Sequence, residues 1–153
     1  MALITKILIP VDFSASCRAA AEYGLKLAAQ FGAEVDLLHV WDPPSYIGPE
    51  VMISVPGGTS AALRDYVREE AQAELERFSS SLAVPDGVTV STHLQGGDAR
   101  LSILSQLEDV SYDLLIMGTH GRKGLSRFFL GSVTEYVLRR AACPVLTIRH
   151  PEE

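Results

Sequence analysis

Short apolar runs alternate with longer amphipathic stretches along the whole chain. Lys6-Ile7-Leu8-Ile9-Pro10-Val11 is too short for a core helix and reads as a buried strand. Ser14 or Ser16 then offers a helix cap, and Ala20, Gly24, Leu27, Ala28 and Phe31 recur at steps of three and four, the helical period. Gly32 stands where that helix ends. Glu34-Val35-Asp36-Leu37-Leu38-His39-Val40 predicts a second strand. A second helix is predicted from about Thr59 to Leu82, with Leu63, Val67, Ala71, Leu75 and Phe78 facing the core. Pro85-Asp86-Gly87 is turn chemistry. Beyond it Val88, Val90, Thr92 and Leu94 alternate with Thr89, Ser91 and His93, a period of two that predicts an edge strand with one exposed face. Asp98 caps a third helix carrying Leu101, Leu104 and Leu107. Asp113 to Gly118 predicts a fourth strand, Ser132 to Ala141 a fourth helix, and Pro144 to Arg149 the last strand.

Strands separated by helices imply right-handed crossovers. The expected fold is α/β: a single doubly wound sheet of about five mainly parallel strands with helices on both faces, Rossmann-like in layout. The 153 residues suit one domain, and no repeat or linker divides them. Residues 42–58 break the pattern of short connections, with Pro43, Pro44, Gly48, Pro49, Pro56, Gly57 and Gly58. Tyr46, Ile47, Val51, Met52, Ile53 and Val55 make this stretch too apolar for a free linker. It either covers a ligand or partner surface or packs on the neighbouring helix, and the second reading is slightly preferred. In open parallel sheets, ligands bind beyond the C-terminal strand ends at the point where strand order reverses. That directs attention to Pro10 to Ser14, Val40 to Asp42, and Met117 onward.

Composition narrows the picture. No apolar run approaches the roughly 18 residues needed to span a bilayer. The N-terminus lacks signal-peptide character, so the expectation is a cytoplasmic protein with no membrane partner. Cys17 and Cys143 stand far apart without metal or redox spacing and read as free thiols. A net charge of −6 argues against nucleic acid as a partner. Positive charge is concentrated late in the chain, where Arg122, Lys123, Arg127, Arg139, Arg140 and Arg149 face a single carboxylate, Glu135. An acidic protein with one basic segment suits a small anion there. Arg139 and Arg140 have a simpler reading, as cations at a helix C-terminus.

The segment with most chemistry is Gly118-Thr119-His120-Gly121, nine residues, then Gly131-Ser132-Val133-Thr134-Glu135. It leaves a buried strand, turns on glycines and enters a helix. Glycine lets backbone approach a ligand without a Cβ in the way, and free N–H groups at a helix N-terminus attract phosphate. Arg122, Lys123 and Arg127 supply positive charge nearby. A reading without a ligand also exists: the glycines merely turn the chain, and Ser132-Val133-Thr134-Glu135 matches the S-x-x-E capping box. Strand-end position and basic neighbours favour phosphate. The segment is neither a P-loop, since no G-K-S or G-K-T appears, nor the G-x-G-x-x-G dinucleotide fingerprint. A phospho-receiver domain is disfavoured, because Asp12 has no adjacent acid.

Gly-x-x-Gly-x9-Gly-Ser resembles the nucleotide motif of the universal stress protein family, in its ATP-binding branch. The resemblance extends to Ile7 through Ser14, His39-Val40, Asp113 through Gly121, and Cys143-Pro144-Val145-Leu146, essentially the whole chain. The branch of that family that does not bind lacks these glycines. The resemblance implies that Asp12 contacts the nucleoside, Val40 meets adenine through its backbone, and Met117 and Gly118 line the ribose side. Gly121, Gly131, Ser132 and Val133 would cradle phosphates, with Arg122 beside them. His120 either touches a phosphate or simply sits in the turn. The implied ligand is ATP, or ADP or AMP, with Mg able to enter on the triphosphate; no catalytic residue and no protein metal site is assigned. The resemblance also implies a homodimer through the last strand, at Val145, Leu146 and Ile148. The expected function is a regulatory nucleotide-binding protein of the stress response. The alternative is a slow ATPase or a self-phosphorylating enzyme using the same site.

Overall fold

The computed structural model describes residues 3–43, 51–58, 60–120 and 130–150. Its elements are β1 (Lys6–Pro10), α1 (Ala15–Phe31), β2 (Glu34–Trp41), β3 (Met52–Ser54), β4 (Ser60–Ala62), α2 (Leu63–Ser81), β5 (Val90–Gly96), α3 (Ala99–Asp109), β6 (Leu114–Gly118), α4 (Ser132–Arg140) and β7 (Val145–Ile148). Five strands form one sheet in the order β5-β2-β1-β6-β7, with every pairing parallel. The chain winds outward from β1 through β2 to β5, then crosses back to β6 and continues to β7. The order therefore reverses between β1 and β6.

Apolar residues fill both faces, which is why the strands read as continuous runs rather than alternations. Along β1, Ile7 and Ile9 join Val35, Leu37, Ile116, Ala20, Leu25, Leu75 and Phe78 in the layer under α1 and α2. Leu8 points the other way, to Leu38, Leu115, Met117, Ile103, Tyr112 and Val137 under α3 and α4. α1 lies so close to the sheet that a Cβ on Gly24 would stand 2.5 Å from Ile9 Cδ1. Ser14 and Asp98 cap α1 and α3 with their side chains, and Gly32 ends α1 in the left-handed conformation that glycine accepts cheaply.

Three expectations need correction. The predicted loop contains an antiparallel hairpin, β3 with β4, and α2 starts at Leu63 rather than Thr59. The Val51 carbonyl accepts from Leu63 N–H at 2.8 Å, so the hairpin delivers the chain directly into the helix. Residues 44–50 of that loop lie outside the described residues. Phe31, placed in the α1 core stripe, is 39% exposed; the buried line is Cys17, Ala20, Ala21, Gly24, Leu25 and Ala28. Leu101 of α3 is 60% exposed, while Ile103 and Gln106 are buried. Two residues turn a helix by roughly 200°, so a face through Ile103 puts Leu101 outside. Among the described residues, no helix is long and apolar enough to cross a membrane.

Candidate functional site

The turn leaving β1 is held from several sides. Asp12 Oδ1 accepts from the Ser14 N–H at 3.0 Å and from the Ser14 hydroxyl at 2.5 Å, and Ser14 Oγ in turn accepts from Cys17 N–H at 3.2 Å. Between them Phe13 has φ +67°, a left-handed conformation uncommon for a bulky side chain. Its ring rests 4.4 Å from the His39 ring and 5.5 Å from Phe78, and His39 Nδ1 lies 2.8 Å from the Val11 carbonyl. Strand β2, helix α2 and the Ser14 hydroxyl thus fix where Asp12 stands. Beneath the turn, burial first and the Asp12 charge second push the Cys17 thiol up to about 12. It stays protonated at neutral pH and is no nucleophile.

The exit of β6 meets this turn. A Cβ on Gly118 would lie 2.7 Å from Ser16 carbonyl carbon and 2.7 Å from Ser16 Cβ, so glycine here lets β6 abut the first turn of α1. Thr119 N–H donates to the Ile148 carbonyl at 3.0 Å, Gly131 N–H to the Thr119 carbonyl at 2.7 Å, and the Thr134 hydroxyl to the Gly118 carbonyl at 2.9 Å. Ser14 Oγ lies 3.4 Å from the His120 carbonyl oxygen. The end of β6 and the start of α4 are therefore one hydrogen-bonded unit, packed against the β1–α1 turn at the sheet's reversal point. The His120 ring is buried, its Nδ1 3.0 Å from Thr119 Oγ1.

α4 starts differently from the expectation. Gly131 is the N-cap and, being glycine, brings no side chain to cap the helix. The Glu135 N–H already closes a helical bond onto the Gly131 carbonyl at 2.9 Å, which makes Ser132 the first helical residue. A capping box needs its serine one position earlier, so it does not form. Glu135 instead pairs with Arg139 at 3.0 Å, and Ser132 is exposed. Arg139 and Arg140 occupy the last turn of α4, as their helix-end reading requires.

Asp12, Gly118, His120, Gly131, Ser132 and Val133 gather around the ends of β1 and β6. Val40 and Met117 lie at the C-terminal ends of β2 and β6, and Val40, Met117 and Val133 pack on the α3/α4 side of the sheet. Gly121 and Arg122, with Lys123 and Arg127, lie outside the described residues. Sequence reasoning missed Thr119 and Thr134, whose role is to stitch the two motif halves together. Thr134 lies inside the recognised motif, but nothing in its spacing points to Gly118. Among the described residues, no group of three or more His, Cys, Asp or Glu side chains is arranged for a metal ion.

These features define a doubly wound α/β domain with a glycine-marked strand-to-helix join at its switch point. The sequence pattern of the universal stress protein family matches residues 4–149, and the chain belongs to that family. The universal stress protein MJ0531 of Methanocaldococcus jannaschii is 34% identical over 152 residues, covering 99% of this chain and 85% of that protein. MJ0577 of the same organism is 30% identical, covering 94% of each. Its solved structure superposes with a TM-score of 0.76 over 96% of both chains. Two further family structures share the fold. One is a universal stress protein in complex with cAMP, at TM-score 0.60 and 21% identity over 98% of this chain and 99% of that one. The other, from Arabidopsis thaliana with AMP bound, has TM-score 0.55 and 24% identity over 97% and 94%.

Proposed function

We propose that this chain is a regulatory protein that binds an adenine nucleotide, ATP or its di- or monophosphate, where β1 and β6 meet α4. The observation that carries the reading is the α4 entry. Its N-cap is Gly131, which brings no capping side chain, and Gly131 N–H is tied to the Thr119 carbonyl in the turn leaving β6. A helix N-terminus that opens on glycine beside a glycine turn lets a phosphate approach its N–H groups. In this reading Asp12 takes the nucleoside, Val40 the adenine, Met117 and Gly118 the ribose side, and Gly131, Ser132 and Val133 the phosphates. Gly121 and Arg122 join the phosphate cradle, and His120 supports the turn from beneath. Mg enters on the triphosphate oxygens, with the exposed Ser132 hydroxyl as a protein ligand. Two proteins that share the fold have been solved with AMP and with cAMP, which supports adenine as the base. Glu135, the carboxylate nearest the phosphate cradle in sequence, is engaged with Arg139, which favours binding over hydrolysis. A cytoplasmic setting suits the two free cysteines, Cys17 and Cys143.

Thermal unfolding tests the reading. At about 100 times its dissociation constant a ligand adds roughly 2.7 kcal/mol. Each kcal/mol moves Tm by about 2–4 °C in a domain near this size. Millimolar ATP should therefore raise Tm by several degrees, and Gly131→Val, with a branched side chain at the helix entry, should fold but show no rise. Absence of any shift with ATP, ADP or AMP would refute nucleotide binding.

A further inference from the structure

Asp36 is 4% exposed in the middle of β2, a costly place for a carboxylate. Its Oδ2 accepts from the Tyr112 hydroxyl at 2.7 Å, with the Lys6 ammonium at 3.6 Å and His93 Nε2 at 3.4 Å. From there a line of hydrogen bonds leads outward. Tyr112 Oη accepts from Gln106 Nε2 at 2.9 Å, and Gln106 Oε1 accepts from Gln95 Nε2 at 2.8 Å. Burial pushes the Tyr112 hydroxyl above its ordinary range, so it keeps its proton. A carboxylate can only accept. Tyr112 therefore spends its one proton on Asp36, Gln106 must donate to Tyr112, and Gln95 must donate to Gln106. The buried charge thus gives each amide one allowed orientation.

Gln95 is the last residue but one of β5, half-buried and in register with Val40. Neighbouring strands lie about 4.8 Å apart, within a glutamine's reach. Gln106, which holds its amide, sits on α3, so that amide lies on the side of the sheet where Val40, Met117 and Val133 pack. With one N–H committed to Gln106, the amide retains an acceptor, Oε1, and one N–H donor. That pair complements an adenine edge, where the exocyclic amine donates and a ring nitrogen accepts. A 6-keto purine presents an acceptor in place of the amine. Accepting it requires the Gln95 amide to flip, and the flip sets Gln95 Oε1 against Gln106 Oε1 with no proton between them.

We infer that Gln95 reads the purine base, and that the Asp36–Tyr112–Gln106 chain locks it in the orientation that selects adenine over 6-keto purines. This rests on the nucleotide reading above. The test is calorimetric titration of the full chain with ATP and with inosine triphosphate, in wild type, Gln95→Leu and Tyr112→Phe, each checked for a folded melting transition. Wild type should prefer ATP by about tenfold or more. Gln95→Leu, at a half-buried edge position, should fold and bring the two affinities together. Tyr112→Phe should also reduce the preference, because Gln106 is then free to turn and let Gln95 flip. A folded Gln95→Leu protein with the wild-type preference overturns the inference while leaving nucleotide binding intact, as does a wild type that binds both nucleotides equally. A wild type that binds neither removes the nucleotide reading and this inference with it.

Discussion

Phe13 holds a backbone conformation that a Cβ resists. The left-handed region costs a non-glycine residue about 1–2 kcal/mol, and Phe13 tolerates it because its ring is gripped by His39 and Phe78. Two opposed terms can be separated by substitution. Phe13→Gly relieves the backbone but loses the ring; Phe13→Ala loses the ring and keeps the strain. Phe13 is only partly buried, so losing its ring costs less than the roughly 3–5 kcal/mol of a fully buried phenylalanine, and the alanine variant, which keeps the strain, should be less stable than wild type. The alanine variant should be the worse by about 1 kcal/mol, the reverse of the usual ranking of the two residues in regular structure. Urea unfolding of the three proteins measures this directly, and an alanine variant as stable as the glycine one would show that φ at this position relaxes. Gly118 carries the complementary lesson. Its sequence context suggested a ligand reason for glycine, yet the structure supplies a packing reason, since a Cβ would collide with Ser16.

At the scale of elements, α1 and α4 begin next to each other but by different means. Ser14 caps α1 with its hydroxyl, whereas α4 begins at Gly131, which brings no capping side chain, with Ser132 one step inside the helix. Ser14→Ala should cost about 1 kcal/mol of stability. Ser132→Ala should change stability by less than about 0.5 kcal/mol while weakening nucleotide binding. Chemical denaturation and an ATP titration on both variants separate the roles, and a large stability loss in Ser132→Ala would restore the capping-box reading. Much of the fold was legible here. Buried parallel strands are continuous apolar runs, and Ser14, Gly32 and Asp98 announce helix ends through local chemistry. What stayed hidden depends on partners distant in sequence. The β3–β4 hairpin uses three-residue strands too short to show a period. The Gln95–Gln106–Tyr112–Asp36 line joins four elements or their flanks, and no spacing rule links its members. The candidate site was legible as a motif, but the stitching by Thr119 and Thr134 that gives the motif its shape was not.

For the molecule as a whole, β5 and β7 are the two edge strands of the sheet among the described residues, and they differ in character. β5 shows exposed Ser91 and Thr92 at its edge, whereas Val145, Leu146 and Ile148 of β7 are apolar and only partly buried. An apolar edge strand invites pairing with a second copy. The register shows which atoms are available. Leu115 N–H bonds the Pro144 carbonyl and Thr119 N–H bonds the Ile148 carbonyl, so alternate residues 144, 146 and 148 face β6. Backbone groups of Val145 and Thr147 therefore point away from the sheet. A proline at 147 would remove an outward donor without breaking a bond to β6, and prolines are accepted on edge strands for this reason. The wild-type chain should sediment as a dimer at tens of micromolar protein, and Thr147→Pro should fold and sediment as a monomer. Leu101, 60% exposed on α3, gives a control: Leu101→Ser should leave the dimer unchanged, because it removes surface apolar area away from β7. A dimer that survives Thr147→Pro would place the contact elsewhere than the β7 edge, and a wild type that is monomeric throughout that range would leave β7 as a tolerated open edge.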